Sequence, residues 1–424
     1  MNEYKNKNVL VLGMGKSGKS MAHFFHKRGA FVKGYDDKSK EDVFEDFCPI
    51  YHFITEVDIS KFDILASSPG ISFEHPLYKE AQDKNIKVIG EIEIGASSIK
   101  NRCIGITGTN GKSTTTSLIA HILNSANINA KAIGNIGVPI TSIIDDLKDE
   151  ILVIELSSYQ IDQLKTPFLE MAFILNITPD HLDRYKTMEN YTVSKLRIKN
   201  LLNDKGFFYL SKQVLVHAEH ELKNTSPYFF DQPREEFNLF LNKFGEIEKK
   251  NYLAAICACE HFGLTKEQII KGCSTFKGLE HRFEYVCDLN GVSFYNDSKA
   301  TNIESVICAV NSVERPLIML MGGEDKGLDY SILKAYFLKK VKDICLIGHV
   351  KTIMAKAFEK DFNVHLCDTL EMAVRKAYSI AKRKDVILLS PGTSSFDMFH
   401  NFEHRGESFK QIVKQLEGEK NESP

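Results

Sequence analysis

A short apolar, β-branched run that ends in Gly, Asn, Ser or Asp and leads into a helical stretch recurs eleven times in this chain. The runs are NVLVLGMG, FVKGYDD, FDILASSPG, KVIGEIE, CIGITGTNG, LVIELSS, AFILNITPD, PLIMLMGG, DICLIGH, NVHLCDT and VILLSPG. Continuous apolar strands separated by helices are the mark of βαβ units, whose parallel sheets are covered on both faces. The pattern predicts an α/β fold. Eleven strands are too many for one comfortable doubly wound sheet. At ~150 residues per domain, 424 residues make about three domains. The expected boundaries are 1–91, 92–277 and 278–424.

Asn290-Gly291, between two alternating runs, predicts a hairpin. Residues 212–250 are polar and read as a smaller antiparallel section ahead of a helix over Asn251–Phe262. A last helix is expected over His404–Leu416, with the tail EGEKNESP disordered. Hydrophobic residues at 43% and charged residues at 26% are ordinary for a globular chain. A net charge of −2 argues against a dedicated nucleic-acid binder. No apolar run approaches the ~20 residues of a membrane helix, and the start MNEYKNKNVLVLG has no signal-peptide h-region. The nine cysteines are scattered without a CxxC pair and read as reduced core thiols. These features predict a cytoplasmic monomer with neither membrane nor nucleic-acid partners.

Two glycine-rich loops lie between a strand and a helix. Gly13, Gly15 and Gly18 have G-x-G-x-x-G spacing, and Asp36 ends the next strand. Such a loop lets backbone approach phosphate at a helix N-terminus, and the acid can hold ribose hydroxyls. A tight ligand-free turn is the alternative. The second loop, Gly108-Thr109-Asn110-Gly111-Lys112-Ser113-Thr114, is more specific. Its backbone N–H groups would cradle ATP phosphates, with Lys112 on the β/γ-phosphates and the Ser113 hydroxyl facing Mg²⁺. It is a P-loop variant, because the strict spacing needs Gly where Ile106 stands. Glu155 ends the following strand and reads equally as a Mg²⁺ carboxylate or as a helix N-terminal carboxylate. Charged and hydroxyl residues follow later strands in NITPDHLDRY, YNDSKATN, MGGEDKGLDY and LLSPGTSSFDMFHNF, a chemistry suited to a small anionic substrate.

Taken in order, GTNGKST, ELSSYQ, NITPDHLDRY, SKLRIKN, HRFE, NDSKATN and GGEDK resemble the Mur ligase family, ATP-dependent amide-forming enzymes of peptidoglycan synthesis. The opening GMGKSGKS with YDD and the closing SPGTSSFDMFHNFEHRGESF are similar to the branch that adds D-glutamate to UDP-N-acetylmuramoyl-L-alanine. Another Mur or folylpolyglutamate-type ligase is the alternative. The resemblance implies three domains: an N-terminal Rossmann-like nucleotide-binding domain, a central P-loop ATPase-type domain and a C-terminal Rossmann-like domain. They would bind UDP-sugar, ATP and amino acid in turn. It implies that Gly108 to Thr114 hold ATP phosphates and that Asn251, Arg282 and Asp297 meet its adenine, phosphate and ribose sides. It implies two Mg²⁺ ions held by Ser113, Glu155, His181 and Lys195, the last as a carbamate, with Lys112, His181 and Lys195 catalytic. Lys299, Thr301, Lys326, Ser395, Phe396 and Phe402 match the D-glutamate site. Ser17, Asp36, Asp37, Gly70 and Asn135 match UDP-sugar contacts. Two positions depart from the family: Lys16 stands where an apolar residue is common, and Asp37 where many relatives have Thr. Without the resemblance, Ser194-Lys195-Leu196-Arg197 reads as a helical surface stretch with an exposed lysine.

Overall fold

The computed structural model describes residues 3–39, 41–218, 221–223, 225–242 and 246–421, excepting the side chains of 183, 246–247 and 419–421. All eleven runs form strands, within three six-stranded sheets. The first sheet orders Val43–Phe44, Cys48–Tyr51, Phe31–Tyr35, Asn8–Leu12, Ile64–Ser67 and Lys87–Gly90. It is parallel except for the pairing of its two short edge strands. The second orders Tyr228–Phe229, Leu202–Leu210, Leu169–Ile174, Cys103–Thr107, Ile151–Glu155 and Ala130–Gly134, all parallel. The third orders Glu284–Leu289, Val292–Asn296, Val386–Leu389, Leu317–Gly322, Val341–Ile347 and Asn363–Leu366. Only its first pair is antiparallel; this is the expected hairpin, with Asn290 and Gly291 both at positive φ.

The chain divides into two compact units. One carries the first two sheets, within Met1–Leu241 and Glu248–Phe276; the other carries the third, within Lys277–Pro424. Each sheet is parallel in its interior because helices cover both faces, which is why Cys103–Thr107, Ile151–Glu155 and Leu317–Gly322 are buried along their whole length.

Two expectations fail. The described residues of 212–250 show no antiparallel section: they hold short helices, the start of the helix Glu246–His261 and the strand Tyr228–Phe229, which pairs parallel to Leu202–Leu210. The cause lies upstream, where the polar run LNDKGFFYL adds a parallel strand next to the sheet edge, which the two-residue Tyr228–Phe229 then extends. The last helix runs Phe402–Asn421, so the first five residues of the supposed disordered tail continue it. Glu417, Glu419 and Lys420 are good helix formers, and the single Gly418 among them does not end the helix.

Candidate active site

The first loop turns between the strand Asn8–Leu12 and the helix Lys16–Lys27. A Cβ on Gly18 would overlap the Gly13 carbonyl oxygen, so this helix packs on the loop only with glycine there. Ser17 lies in the helix's first turn. Asp36 braces the loop: Met14 N–H donates to Oδ2 (2.7 Å), and Lys38 and Ser39 N–H donate to Oδ1 (2.9 and 3.2 Å). Asp37 is exposed, and Gly70 faces open space where a Cβ would sit. The Lys16 ammonium donates to the Gly137 carbonyl, tying this helix to the segment that follows the strand Ala130–Gly134. Asn135, on that segment, donates from Nδ2 to Glu155 Oε1 (2.9 Å).

The second loop follows the strand Cys103–Thr107 and ends at Gly111, whose left-handed φ of 83° starts the helix Lys112–Ser125. The Asn251 amide packs where a Gly111 Cβ would be. Asn176, at the end of the neighbouring strand, holds the loop: its Oδ1 accepts from Thr109 N (3.1 Å) and Asn110 N (2.8 Å). Two of the amides expected to cradle phosphate are therefore engaged by a side chain. Lys112 Nζ curls over the loop onto the Gly108 and Thr109 carbonyls (2.9 and 2.8 Å). Ser113 is buried in the helix's first turn, with Thr114 partly exposed beside it.

Lys195 is not a surface residue. It is 1% exposed, and its Nζ donates to the Gly108 carbonyl (2.9 Å), the acceptor that Lys112 also uses. Burial, and then the Lys112 ammonium, push its pKa well below the usual lysine value. Glu155 is 1% exposed, and its Oε2 has no hydrogen-bond partner. His181, at a positive φ of 54°, pairs its Nδ1 with the Tyr159 hydroxyl (2.8 Å). Among the described residues no three His, Cys, Asp or Glu side chains group as a metal cage. The donors fit Mg²⁺ nonetheless, since that ion binds through one or two carboxylates, phosphate oxygens and waters. A buried carboxylate oxygen with no partner and a buried serine hydroxyl beside a glycine-rich loop are that kind of donor set.

In the other unit, Asp297 ends the strand-to-loop turn after Val292–Asn296. Its Oδ1 accepts from Phe283 N (3.1 Å) and its Oδ2 from the Ser390 hydroxyl (2.9 Å). Burial raises its pKa to about 7 against these hydrogen bonds. Arg282 precedes Phe283 in the same turn. The Lys299 ammonium lies 3.9 Å from the Phe402 ring centroid, and Lys326 Nζ donates to the Thr301 carbonyl (3.3 Å). Ser395 is buried, whereas Phe396 beside it is 67% exposed. Of the expected D-glutamate residues, Lys299, Thr301, Lys326, Ser395 and Phe396 thus lie on loops after this sheet's strands, and Phe402 opens the helix Phe402–Asn421.

A residue that the motifs above leave without a role holds these loops. Arg405 is fully buried and ties these loops together. Its guanidinium donates to the Ser298 hydroxyl and carbonyl (3.0 and 2.8 Å) and to the carbonyls of Gly322, Thr393 and Ser394 (3.4, 3.2 and 3.3 Å). Burial lowers its pKa to about 10. The signal was present: Arg405 shares helical spacing with the buried Phe409, Val413 and Leu416, so it falls on the apolar stripe.

Three family models match the chain: Mur ligase MurD-like, N-terminal domain over residues 7–90, Mur ligase middle domain over 106–226, and Mur ligase, glutamate ligase domain over 281–393. A UDP-N-acetylmuramoylalanine–D-glutamate ligase of Protochlamydia amoebophila is 39% identical, covering 97% of this chain and 99% of that one. One of Caldicellulosiruptor bescii is 36% identical, covering 98% and 99%. The fold is similar to that of a MurF ligase from Thermotoga maritima solved with ADP, with TM-score 0.59, 16% identity and coverage of 98% and 96%.

Proposed function

The chain belongs to the Mur ligase family, and from that premise we propose that it is an ATP-dependent ligase adding D-glutamate to UDP-N-acetylmuramoyl-L-alanine in peptidoglycan precursor synthesis. The observation that carries the reading is electrostatic. The Lys112 ammonium and the Lys195 amine converge on one loop carbonyl, and the buried Glu155 carboxylate of the same unit has an unpartnered oxygen. The Lys112 cation on a glycine-rich loop suits a polyphosphate, and the carboxylate suits the metal that accompanies it.

The chemistry follows. A carboxylate is a poor acyl donor, so an oxygen of the alanyl carboxylate attacks the γ-phosphorus, ADP leaves and an acyl phosphate forms. The neutral amine of D-glutamate then attacks the acyl carbon, inorganic phosphate leaves and the nitrogen loses a proton. The loop Gly108 to Thr114, an instance of a P-loop variant, and Lys112 hold the triphosphate; Asn251, Arg282 and Asp297 hold its adenine, phosphate and ribose sides. Ser113, Glu155, His181 and a Lys195 carbamate hold two Mg²⁺, which supply charge neutralisation between two anions that must meet. The depressed Lys195 pKa supports the carbamate, because only the neutral amine adds CO₂, releasing one proton. Lys299, Thr301, Lys326, Ser395, Phe396 and Phe402 bind D-glutamate, and Arg405 keeps their loops in register. Ser17, Asp36, Asp37, Gly70 and Asn135 serve the UDP-sugar.

Residues 1–91 and 278–424 act as Rossmann-like domains for UDP-sugar and amino acid, and 92–277 as the ATP-binding domain of a cytoplasmic monomer. No helix among the described residues is long and apolar enough to cross a membrane. Phosphate release measured with UDP-N-acetylmuramoyl-L-alanine and a panel of amino acids tests the reading. Release should depend on D-glutamate; release independent of any amino acid would refute it.

A further inference from the structure

Asn135 was expected to touch the sugar nucleotide, and its side chain also meets a carboxylate of its own unit. The strand Ala130–Gly134 pairs in register with Ile151–Glu155, so Gly134 lies opposite Glu155. Asn135 then binds that residue twice: its backbone N–H donates to the Glu155 carbonyl (2.9 Å) and its side-chain amide to Glu155 Oε1 (2.9 Å). A Cβ on Gly134 would overlap the Glu155 carbonyl oxygen, so the two backbones sit as close as glycine allows. The other carboxylate oxygen, Oε2, is buried and has no partner.

We propose that Asn135 is a positioning residue for the Glu155 carboxylate, turning its unpartnered oxygen toward the metal. The inference rests on the ligase reading, in which Glu155 holds Mg²⁺. The terminal torsion of a glutamate is broad and roughly two-fold, so nothing intrinsic fixes the plane of its carboxylate. One hydrogen bond to Oε1 fixes that plane and leaves Oε2 as the oxygen that gains by meeting a cation. Outer partners of this kind typically change metal affinity 10–100-fold. The Asn135 amide keeps a second N–H and a carbonyl oxygen with which to meet the sugar. The same segment is tied to the first loop through Lys16 and the Gly137 carbonyl. One residue would thus link the sugar-nucleotide side of this unit to its metal carboxylate.

Mn²⁺ binding to the full-length protein with a non-hydrolysable ATP analogue, followed by electron paramagnetic resonance, tests this without turnover. Asn135→Ala should weaken Mn²⁺ by roughly 10–100-fold. Ser17→Ala, which lies on the sugar side only, should leave it within about twofold while raising KM for the UDP-sugar. In a Glu155→Gln background, Asn135→Ala should cost no further Mn²⁺ affinity. If Asn135→Ala fails the circular dichroism check, Asn135→Ser, too short to reach Oε1, replaces it with the same expectation. Unchanged Mn²⁺ affinity in the folded variant would overturn the positioning role. A wild-type protein that binds no Mn²⁺ would instead overturn the underlying metal reading.

Discussion

Asp297→Asn should stabilise this protein at neutral pH while removing its ligase activity. The Asp297 carboxyl is 8% exposed, and burial raises its pKa from 3.8 to about 7 in the folded chain. The folded state therefore holds a proton between those values that the unfolded chain has released. The stability this proton supplies is full below 3.8 and is lost as pH rises through about 7. Three pKa units at about 1.36 kcal/mol each make roughly 4 kcal/mol. Asparagine keeps an oxygen to accept from the Phe283 N–H, its amide can donate to the Ser390 hydroxyl oxygen, and it carries no charge to desolvate. Urea titrations without nucleotide, run on both proteins at pH 4 and pH 8, isolate the effect, since every other titrating group cancels in the difference. The asparagine variant should gain about 4 kcal/mol on the wild type between the two pH values. A stability difference that stays constant with pH would show that Asp297 is not a strained acid and refute the reasoning.

Three further outcomes follow from the site. Lys112→Ala should abolish ATP turnover yet leave UDP-sugar affinity nearly unchanged, because Nζ donates to the Gly108 and Thr109 carbonyls of the second loop; isothermal titration with the UDP-sugar checks this, and a large affinity loss would refute it. D-Glutamate should be preferred over D-aspartate by roughly 1–3 kcal/mol in kcat/KM, since an acid shorter by one methylene leaves a cation such as Lys326 poorly paired; equal values would refute a clamp of two carboxylates. Lys195→Ala should fold, lose nearly all ligase activity and regain part of it with a short-chain carboxylate; full activity in CO₂-free buffer would remove the carbamate from the account.

The strands were legible because each apolar run is bounded by Gly, Asp, Asn or Ser, and burial on both faces leaves a signal that needs no partner. Ala130–Gly134 and Leu202–Leu210 were not, since AKAIG is short and interrupted by lysine and LNDKGFFYL has the polarity of a loop. The glycine-rich loops could be found from local spacing. What holds them could not. Asn176 lies 66 residues from Asn110, Asn135 lies 20 from Glu155, and Arg405 lies 107 from Ser298. Only the order of strands in the sheets brings such pairs together. Lys195 shows the limit most clearly: a lysine in a helix is ordinarily solvated, and its burial against Gly108 depends on tertiary packing alone.

The costs of this fold are unevenly placed, and their placement bears on function. Buried polar atoms are nearly always satisfied in native proteins, so each exception calls for a cause. Among the described residues eleven buried side-chain polar atoms have no partner. Six of them, on Thr107, Thr115, Thr116, Glu155, Thr178 and Thr192, belong to segments next to the loop Gly108 to Thr114 or to the helix that carries Lys195. An unpartnered buried group costs about 1–3 kcal/mol, and valine in place of threonine would avoid that cost at the same volume. Elsewhere the cores are aliphatic and aromatic. The two units repeat the contrast in charge: Lys195 in one and Asp297 and Arg405 in the other are each pushed by burial toward their neutral forms. Packing alone would favour neutral residues at all three positions. Asp297 directly follows a strand, and Lys195 and Arg405 reach from helices onto the loops after strands, where α/β folds bind ligands; charge kept there at a cost to packing is what a ligand-binding site requires.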